Sequence, residues 1–244
     1  MDDESDEAAV LSMASYEYFR NNQDKELTDQ VIESYGIKDL KIDDVYSDDF
    51  SIVATRPDGR AVISYRGTDS WLDLLPDLGV FMGAHSPFVP AMNRFHHAFE
   101  KHENLPYKID YVTGHSLGGT QAMNTARRTG TKAIVFNPGS TPWAESLHAG
   151  VCSSSSACED EGKSRIFTTG VDPISFGSYA FDQFTDEVTL IKPKDLPNDW
   201  FAHSLTHFLP EQKNKSKPLE WLQPVNLVTG QRWCDDPTDP LCMK

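Results

Sequence analysis

The chain has 244 residues, which suits one large domain, and 39% of them are hydrophobic, which is enough for a sizeable core. Its 22 basic and 37 acidic residues give a formal net charge of −15, a surface that repels phosphate backbones and argues against nucleic acid as a partner. All apolar stretches end well short of the roughly 18 residues of a transmembrane helix. Because the negative charge is not attracted to anionic lipid headgroups, any contact with a lipid surface would be apolar and transient.

The N-terminal part of the sequence predicts two helices and a hairpin. Residues 5–21 combine an acidic start with an apolar stripe, as in an amphipathic helix. The stripe consists of Ala9, Val10, Met13, Tyr16 and Phe19. Residues 26–35 predict a second helix that ends at Gly36. Residues 50–55 and 60–65 predict two strands that are joined by the turn Pro57-Asp58-Gly59.

Helices and strands alternate through the rest of the domain. Helices are predicted over residues 87–100, 118–128 and 203–209, and strands over residues 109–113, 132–136, 165–169 and 187–191. This alternation predicts an α/β fold with a mostly parallel central sheet flanked by helices. We interpret residues 1–209 as a single domain, with 1–36 as its N-terminal helices, and residues 210–244 as an irregular C-terminal extension.

The sharpest motif is Gly114-His115-Ser116-Leu117-Gly118, which lies between a predicted strand and a predicted helix. A serine nucleophile at such a turn needs small neighbours two positions to either side, and both are glycines here. The turn lifts the serine hydroxyl clear of the sheet and places the next amide at a helix N-terminus, where it can stabilise an oxyanion. We therefore predict Ser116 as a nucleophile and Leu117 as an oxyanion-hole donor. The alternative is a glycine-rich turn with an idle serine.

An acid and a histidine are expected after such a serine, in that order. His203 and His207 are the candidate bases, and we favour His203 because it lies between a loop and a short helix, whereas His207 would pack or cap. Asp172 follows the strand predicted at residues 165–169, which places it at the same sheet edge as the serine, where it would orient His203. An Asp-Pro turn is the alternative role for Asp172. Other acids lie in less defined sequence: Asp182, Asp186, Asp195 and Asp199.

A second oxyanion donor is predicted at Thr68. The strand at residues 60–65 leads directly into Arg66-Gly67-Thr68, and a glycine before Thr68 permits a close turn at the sheet edge. The backbone amide of Thr68, with or without its hydroxyl, would then point at the oxyanion.

Taken together, these motifs resemble the class 3 lipase family, the fungal triacylglycerol lipase-like branch of the α/β-hydrolases. The matching segments occur in the family's order, within residues 50 to 209, at 65–68, 114–119, 137–139, 170–174 and 203–209. The resemblance implies the α/β-hydrolase fold and hydrolysis of carboxylic esters. It implies a triad of Ser116, Asp172 and His203, with Thr68 and Leu117 as oxyanion donors. No cofactor and no metal are expected for this chemistry.

The resemblance also implies a lid after Thr68, and a buried amphipathic helix is the alternative for this stretch. Its apolar residues are Trp71, Leu72, Leu74, Leu75, Leu78, Val80, Phe81 and Met82. They favour a lipid-like acyl chain, so a lipase or phospholipase is the leading expectation and a short-chain esterase the next. Two further functions stay open: a non-catalytic α/β-hydrolase-like binding module, and an acyltransferase that uses the same triad.

The four cysteines form two close pairs in loop-like sequence, Cys152 with Cys158 and Cys234 with Cys242. Disulfides within these loops would indicate a secreted mature protein, whereas free thiols would indicate a reducing cytoplasm. The acidic residues 1–7 are the opposite of a secretory signal peptide, which slightly favours the cytoplasm. Neither pair has the spacing of a zinc site. The sequence predicts no particular oligomeric state.

Overall fold

A computed structural model describes residues 1–67, 88–139, 164–169, 187–191 and 205–211. The helices are α1 (Asp3–Arg20), α2 (Lys25–Ser34), α3 (Phe88–Asn104) and α4 (Leu117–Thr129), with a 3₁₀ helix at Leu205–His207. The strands are β1 (Lys41–Ile42), β2 (Ser51–Thr55), β3 (Arg60–Tyr65), β4 (Lys108–His115), β5 (Lys132–Phe136), β6 (Ser164–Thr168) and β7 (Glu187–Leu190). In this part of the chain, no helix is both long enough and apolar enough to cross a bilayer.

The seven strands form one sheet in sequence order, from β1 to β7. The first three strands pair antiparallel, and β3 to β7 pair parallel. The predicted α/β fold with a mostly parallel sheet is therefore confirmed. The parallel register places Tyr65 opposite Gly114, and His115 opposite Phe136. The carboxyl ends of β3, β4 and β5 consequently meet at one edge of the sheet.

Alternate side chains of the strands face two separate hydrophobic cores. Val62 and Ile134 lie in the core that α1 and α2 cover, whereas Ile63 and Val135 lie in the core that α3 and α4 cover. This alternation follows from the two-residue period of a strand. The domain is thus layered, with helices on both faces of the sheet.

The first helix, α1, is buried on most of its surface and not only along its predicted apolar stripe. Asp2 caps its N-terminus by accepting a hydrogen bond from the Ser5 amide at 2.9 Å. Phe19 is the exception within the stripe, because 37% of it is exposed. The guanidinium carbon of Arg66 lies 3.7 Å from the Phe19 ring centroid, so a cation–π contact replaces burial there.

Side-chain hydrogen bonds fix α1 along β4. Each bond joins a residue of the helix to one further along the strand, so the two elements run in the same direction and α1 ends at the carboxyl edge of the sheet. The bonds join Glu7 to Tyr111 at 2.7 Å, Ser12 to Thr113 at 3.0 Å and Tyr16 to His115 at 3.0 Å.

Candidate active site

Ser116 is the single residue between β4 and α4, as its sequence context predicts. Its backbone has φ 57° and ψ −128°, a conformation that non-glycine residues rarely adopt and that surrounding contacts must maintain. The Ser116 amide donates to the carbonyl of Phe136 at 3.2 Å. Its carbonyl accepts from the amides of Thr120 at 3.1 Å and Gly139 at 3.0 Å. Although serine is a favoured N-cap residue, the Ser116 side chain does not cap α4.

The two flanking glycines are required by close backbone packing. A Cβ on Gly114 would lie 2.4 Å from the carbonyl group of Gly118. A Cβ on Gly118 would lie 2.1 Å from the carbonyl oxygen of Tyr65, at the end of β3. Both distances are far below van der Waals contact, and both partners are backbone atoms that cannot rotate away. The glycine pattern thus serves two purposes: it permits the turn, and it lets α4 start against β3.

The end of β3 lies beside Ser116. A Cβ on Gly67 would be 3.2 Å from the Ser116 Cβ and 2.6 Å from the His115 carbonyl oxygen. Leu117 is the first residue of α4, so its amide has no acceptor within the helix. Thr68, the predicted partner of Leu117 in the oxyanion hole, follows Gly67 directly but lies outside the described residues, as does the apolar stretch after it.

Arg66 anchors the end of β3 from the other side. Its amide donates to the Phe50 carbonyl at 2.8 Å, and its Nε donates to the Asp49 carbonyl at 2.7 Å. With its guanidinium over the Phe19 ring, the side chain joins the loop before β2 to the end of α1. Arg66 thereby fixes the position of the residue that follows it, Gly67.

A buried ammonium group pins the loop that holds Arg66. Lys101 Nζ lies 2.6 Å from Asp48 Oδ2 and 2.8 Å from Ser51 Oγ, and His97 Nε2 lies 2.9 Å from the same Asp48 oxygen. Burial lowers the pKa of Lys101. Burial also opposes ionisation of Asp48, but the charge and hydrogen bond of Lys101, together with hydrogen bonds from His97 and the Phe50 amide, lower the pKa of Asp48 overall. The loop before β2 is therefore tied to α3 by a charged pair.

Asn137 connects the serine turn to the end of β6. Its backbone has φ 38°, which asparagine tolerates better than most residues. Its Oδ1 accepts a hydrogen bond from the Thr169 amide at 3.1 Å, and its amide donates to the Phe167 carbonyl at 2.8 Å. Two residues later, the Gly139 amide bonds the Ser116 carbonyl. The sequence indicates residues 137–139 only through the family resemblance. The Asn-Pro-Gly turn was the available signal for this connecting role, which was not predicted.

The predicted acid lies outside the described residues. Asp172 comes three positions after Thr169, the last described residue at the end of β6. The structure therefore describes the strand end that leads to Asp172, and Asp172 stays a prediction.

The described residues 205–211, which include the candidate base His207, pack against the end of β5. The helix predicted at residues 203–209 is described as a single 3₁₀ turn at Leu205–His207. His207 is 3% exposed, and the ring centroid of Phe208 lies 5.3 Å from that of Phe136. The segment thus lies beside the strand end from which Asn137 departs. His203 precedes this turn by two residues and lies outside the described residues.

The position of Tyr16 at the serine turn was also not predicted from the sequence. The sequence places Tyr16 in an apolar stripe, and it is indeed buried. Its hydroxyl, however, lies 3.0 Å from His115 Nδ1 and 3.4 Å from the His115 carbonyl oxygen. No local pattern signals this contact, because 99 residues separate the pair.

Within the described ranges, no group of three or more His, Cys, Asp or Glu side chains is arranged to hold a metal ion. The four cysteines all lie outside these ranges. In comparisons with known proteins, the chain matches no family model and no curated protein. The likeness to class 3 lipases therefore rests on the sequence motifs alone.

Proposed function

We propose that this chain is a serine hydrolase of the α/β-hydrolase fold that cleaves carboxylic esters, with lipid esters as its leading substrate class. The observation that carries the proposal is the backbone of Ser116, which has positive φ between a central parallel strand and a helix N-terminus. Strain of this kind costs of order 1–3 kcal/mol and collects at functional sites. Glycine adopts positive φ without this cost. The presence of serine at the strained position therefore favours a chemical role for its side chain.

In the proposed mechanism, His203 takes the proton of Ser116 while the serine oxygen attacks the ester carbonyl. Asp172 orients His203 and stabilises its imidazolium form. The amides of Leu117 and Thr68 stabilise the oxyanion, and the alcohol departs with the proton from His203. Water activated by the same histidine then releases the acid from the acyl-enzyme.

Three described strand ends support this assignment. Gly67, the residue before Thr68, lies beside Ser116. Thr169, three residues before Asp172, is bonded to Asn137, which belongs to the same turn as the Gly139 amide on Ser116. The segment after His203 packs on the end of β5. The described residues closest in sequence to Thr68, Asp172 and His203 thus lie at one edge of the sheet. The burial of His207, which is 3% exposed, fits a packing role and favours His203 as the base.

The test is turnover of a p-nitrophenyl ester together with labelling by a fluorophosphonate probe. Ser116→Ala is expected to abolish labelling and to lower turnover by at least about 10⁴-fold, as the loss of a nucleophile does. Ser64→Ala is the matched control, because Ser64 is a buried serine at the end of β3 whose hydroxyl has no hydrogen-bond partner in the described part of the chain. Its turnover should equal that of the wild type.

Each alternative has its own outcome. A wild-type chain that neither labels nor turns over esters would be a binding module, and the proposal would fail. Ester formation with an added alcohol in preference to hydrolysis would identify an acyltransferase.

His203→Ala is expected to remove turnover while His207→Ala retains most of it, and the reverse result would reassign the base. Faster turnover of palmitoyl than of butyryl esters is expected for a lipid substrate.

A further inference from the structure

The hydroxyl group of Tyr16 lies between the serine turn and the end of β3. It is 3.0 Å from His115 Nδ1 and 3.4 Å from the His115 carbonyl oxygen, one residue before the nucleophile. It is also the closest atom to the position of a Cβ on Gly67, at 2.2 Å. One side-chain atom thus contacts the turn that carries Ser116 and Leu117 and the strand end that leads to Thr68.

The position of this hydroxyl is set by the register of α1 on β4. Ser12 and Tyr16 are one helical turn apart and lie on the same helix face, a rise of about 6 Å. Thr113 and His115 are two residues apart on the same strand face, a rise of about 6.6 Å. The two spacings match, so the Ser12–Thr113 bond and the Tyr16–His115 bond form together. Because Tyr16 is buried, its ring cannot swing into solvent.

The strain at Ser116 explains why such a contact would matter. Its positive φ persists only where neighbours hold it. Thr120 and Gly139 hold the Ser116 carbonyl from the α4 side and the β5 side. Tyr16 is the contact from the α1 face, and it reaches His115 and Gly67 at once.

We propose that Tyr16 is a positioning residue of the active site: its hydroxyl, bonded to His115, sets the spacing between Gly67 and Ser116, and hence between the amides that bind the oxyanion. The helix α1 then contributes to catalysis by positioning the serine turn through Tyr16. This inference rests on the proposed function. A change in donor spacing acts on the transition state and not on the bound ester, so it lowers kcat and leaves KM unchanged.

The test compares Tyr16→Phe with Tyr18→Phe, which removes the hydroxyl of another buried tyrosine of α1. Tyr16→Phe is expected to lower kcat and the rate of fluorophosphonate labelling by about tenfold, with KM changed less than twofold. This is smaller than the 10²–10³-fold loss that follows removal of a whole oxyanion donor. Tyr18→Phe is expected to leave kcat, KM and the labelling rate unchanged. Equal kinetics for the two variants would overturn the proposal.

A double-mutant cycle with His115→Gln identifies the route of the effect. If Tyr16 acts through His115, the double variant Tyr16→Phe/His115→Gln will be no slower than the slower single variant, because the second change finds the bond already lost. Multiplying effects would overturn this route. If the wild type does not label, the proposed function fails together with the role of Tyr16. If the wild type labels and Tyr16→Phe labels equally fast, only the role of Tyr16 fails.

Discussion

The amino edge of the parallel sheet and the serine turn at its carboxyl edge are held together by different contacts. At the amino edge, Arg56 binds Glu7, Asp39 at 2.7 Å and Asp110 at 3.3 Å, and Arg60 binds Asp110 at 3.2 Å. At the carboxyl edge, the turn at Ser116 is held by backbone amides, by close glycine contacts and by the Tyr16–His115 hydrogen bond. The ion pairs of the amino edge stabilise the fold without fine geometry, whereas the turn at Ser116 stores strain that close packing around it must sustain.

The largest expected loss of stability and turnover is that of Gly118→Ala, which adds one methyl group at the carboxyl edge. In Gly118→Ala, the added Cβ would lie 2.1 Å from the Tyr65 carbonyl oxygen and must displace β3 or α4. We expect the free energy of unfolding to fall by about 4 kcal/mol and turnover by at least about 100-fold. Chemical denaturation and the ester assay measure both.

The matched control for that change is Gly59→Ala, in the turn between β2 and β3. No atom lies within 4 Å of its Cβ position, and only the φ of +81° opposes alanine. It should cost about 1 kcal/mol, with unchanged turnover. If Gly118→Ala were as mild as Gly59→Ala, close packing at the carboxyl edge would not be what maintains the turn.

The next effect in size is at the amino edge. Arg56→Met removes a guanidinium whose side chain is only 14% exposed and leaves the carboxylates of Glu7 and Asp110 partly buried without it. We expect a loss of about 3 kcal/mol in the free energy of unfolding, with kcat unchanged at a temperature where the variant is folded. Arg60→Met is the control, since its side chain is 46% exposed and water screens its ion pairs, so the free energy of unfolding should change much less than in Arg56→Met. A fall in kcat for Arg56→Met would show that the two edges are coupled.

The smallest effect is expected at the start of α1. Hydrogen bonding from Ser5, assisted by Arg165, lowers the pKa of Asp2 to about 2. Because the pKa is lowered on folding, the stabilisation is complete above the ordinary value of 3.8 and is lost as the pH falls from there towards 2. Asp2→Ala should cost about 1 kcal/mol at pH 7, whereas Asp2→Asn keeps most of the cap.

The measurement for Asp2 is the stability difference between the wild type and Asp2→Asn from pH 6 to pH 3. We expect the wild-type advantage to shrink as the pH falls. A difference that stays constant over this range would mean that the Asp2 charge does not stabilise α1.

The elements with strong local patterns could be predicted from sequence. β3 and β5 match their predicted bounds residue for residue, because each contains Val, Ile and an aromatic residue and lies between turn signals. The missed strand, β1, has two residues, too few to show a period. α3 continues four residues past its predicted end at Glu100, since no glycine or proline follows until Pro106.

In the candidate active site, too, features with a local sequence pattern could be predicted and contacts between distant segments could not. The turn at Ser116 was predictable because its glycines are neighbours in sequence. The Tyr16–His115 bond and the Asn137–Thr169 bond were not, because they join segments that only the folded sheet brings together. Thr68, Asp172 and His203 stay predictions from motif order.

The alignment of α1 with β4 has a consequence for how the chain folds. During synthesis, α1 leaves the ribosome roughly 100 residues before the strand against which it packs, an interval of about 5 to 20 seconds. For that time its apolar side chains can contact only the elements made before β4, which are α2, β1, β2, β3 and α3, and the chain is open to misassembly. The contacts of α1 with the serine turn therefore form only after β4 has been synthesised. We expect co-translational chaperones to bind the nascent chain in that interval.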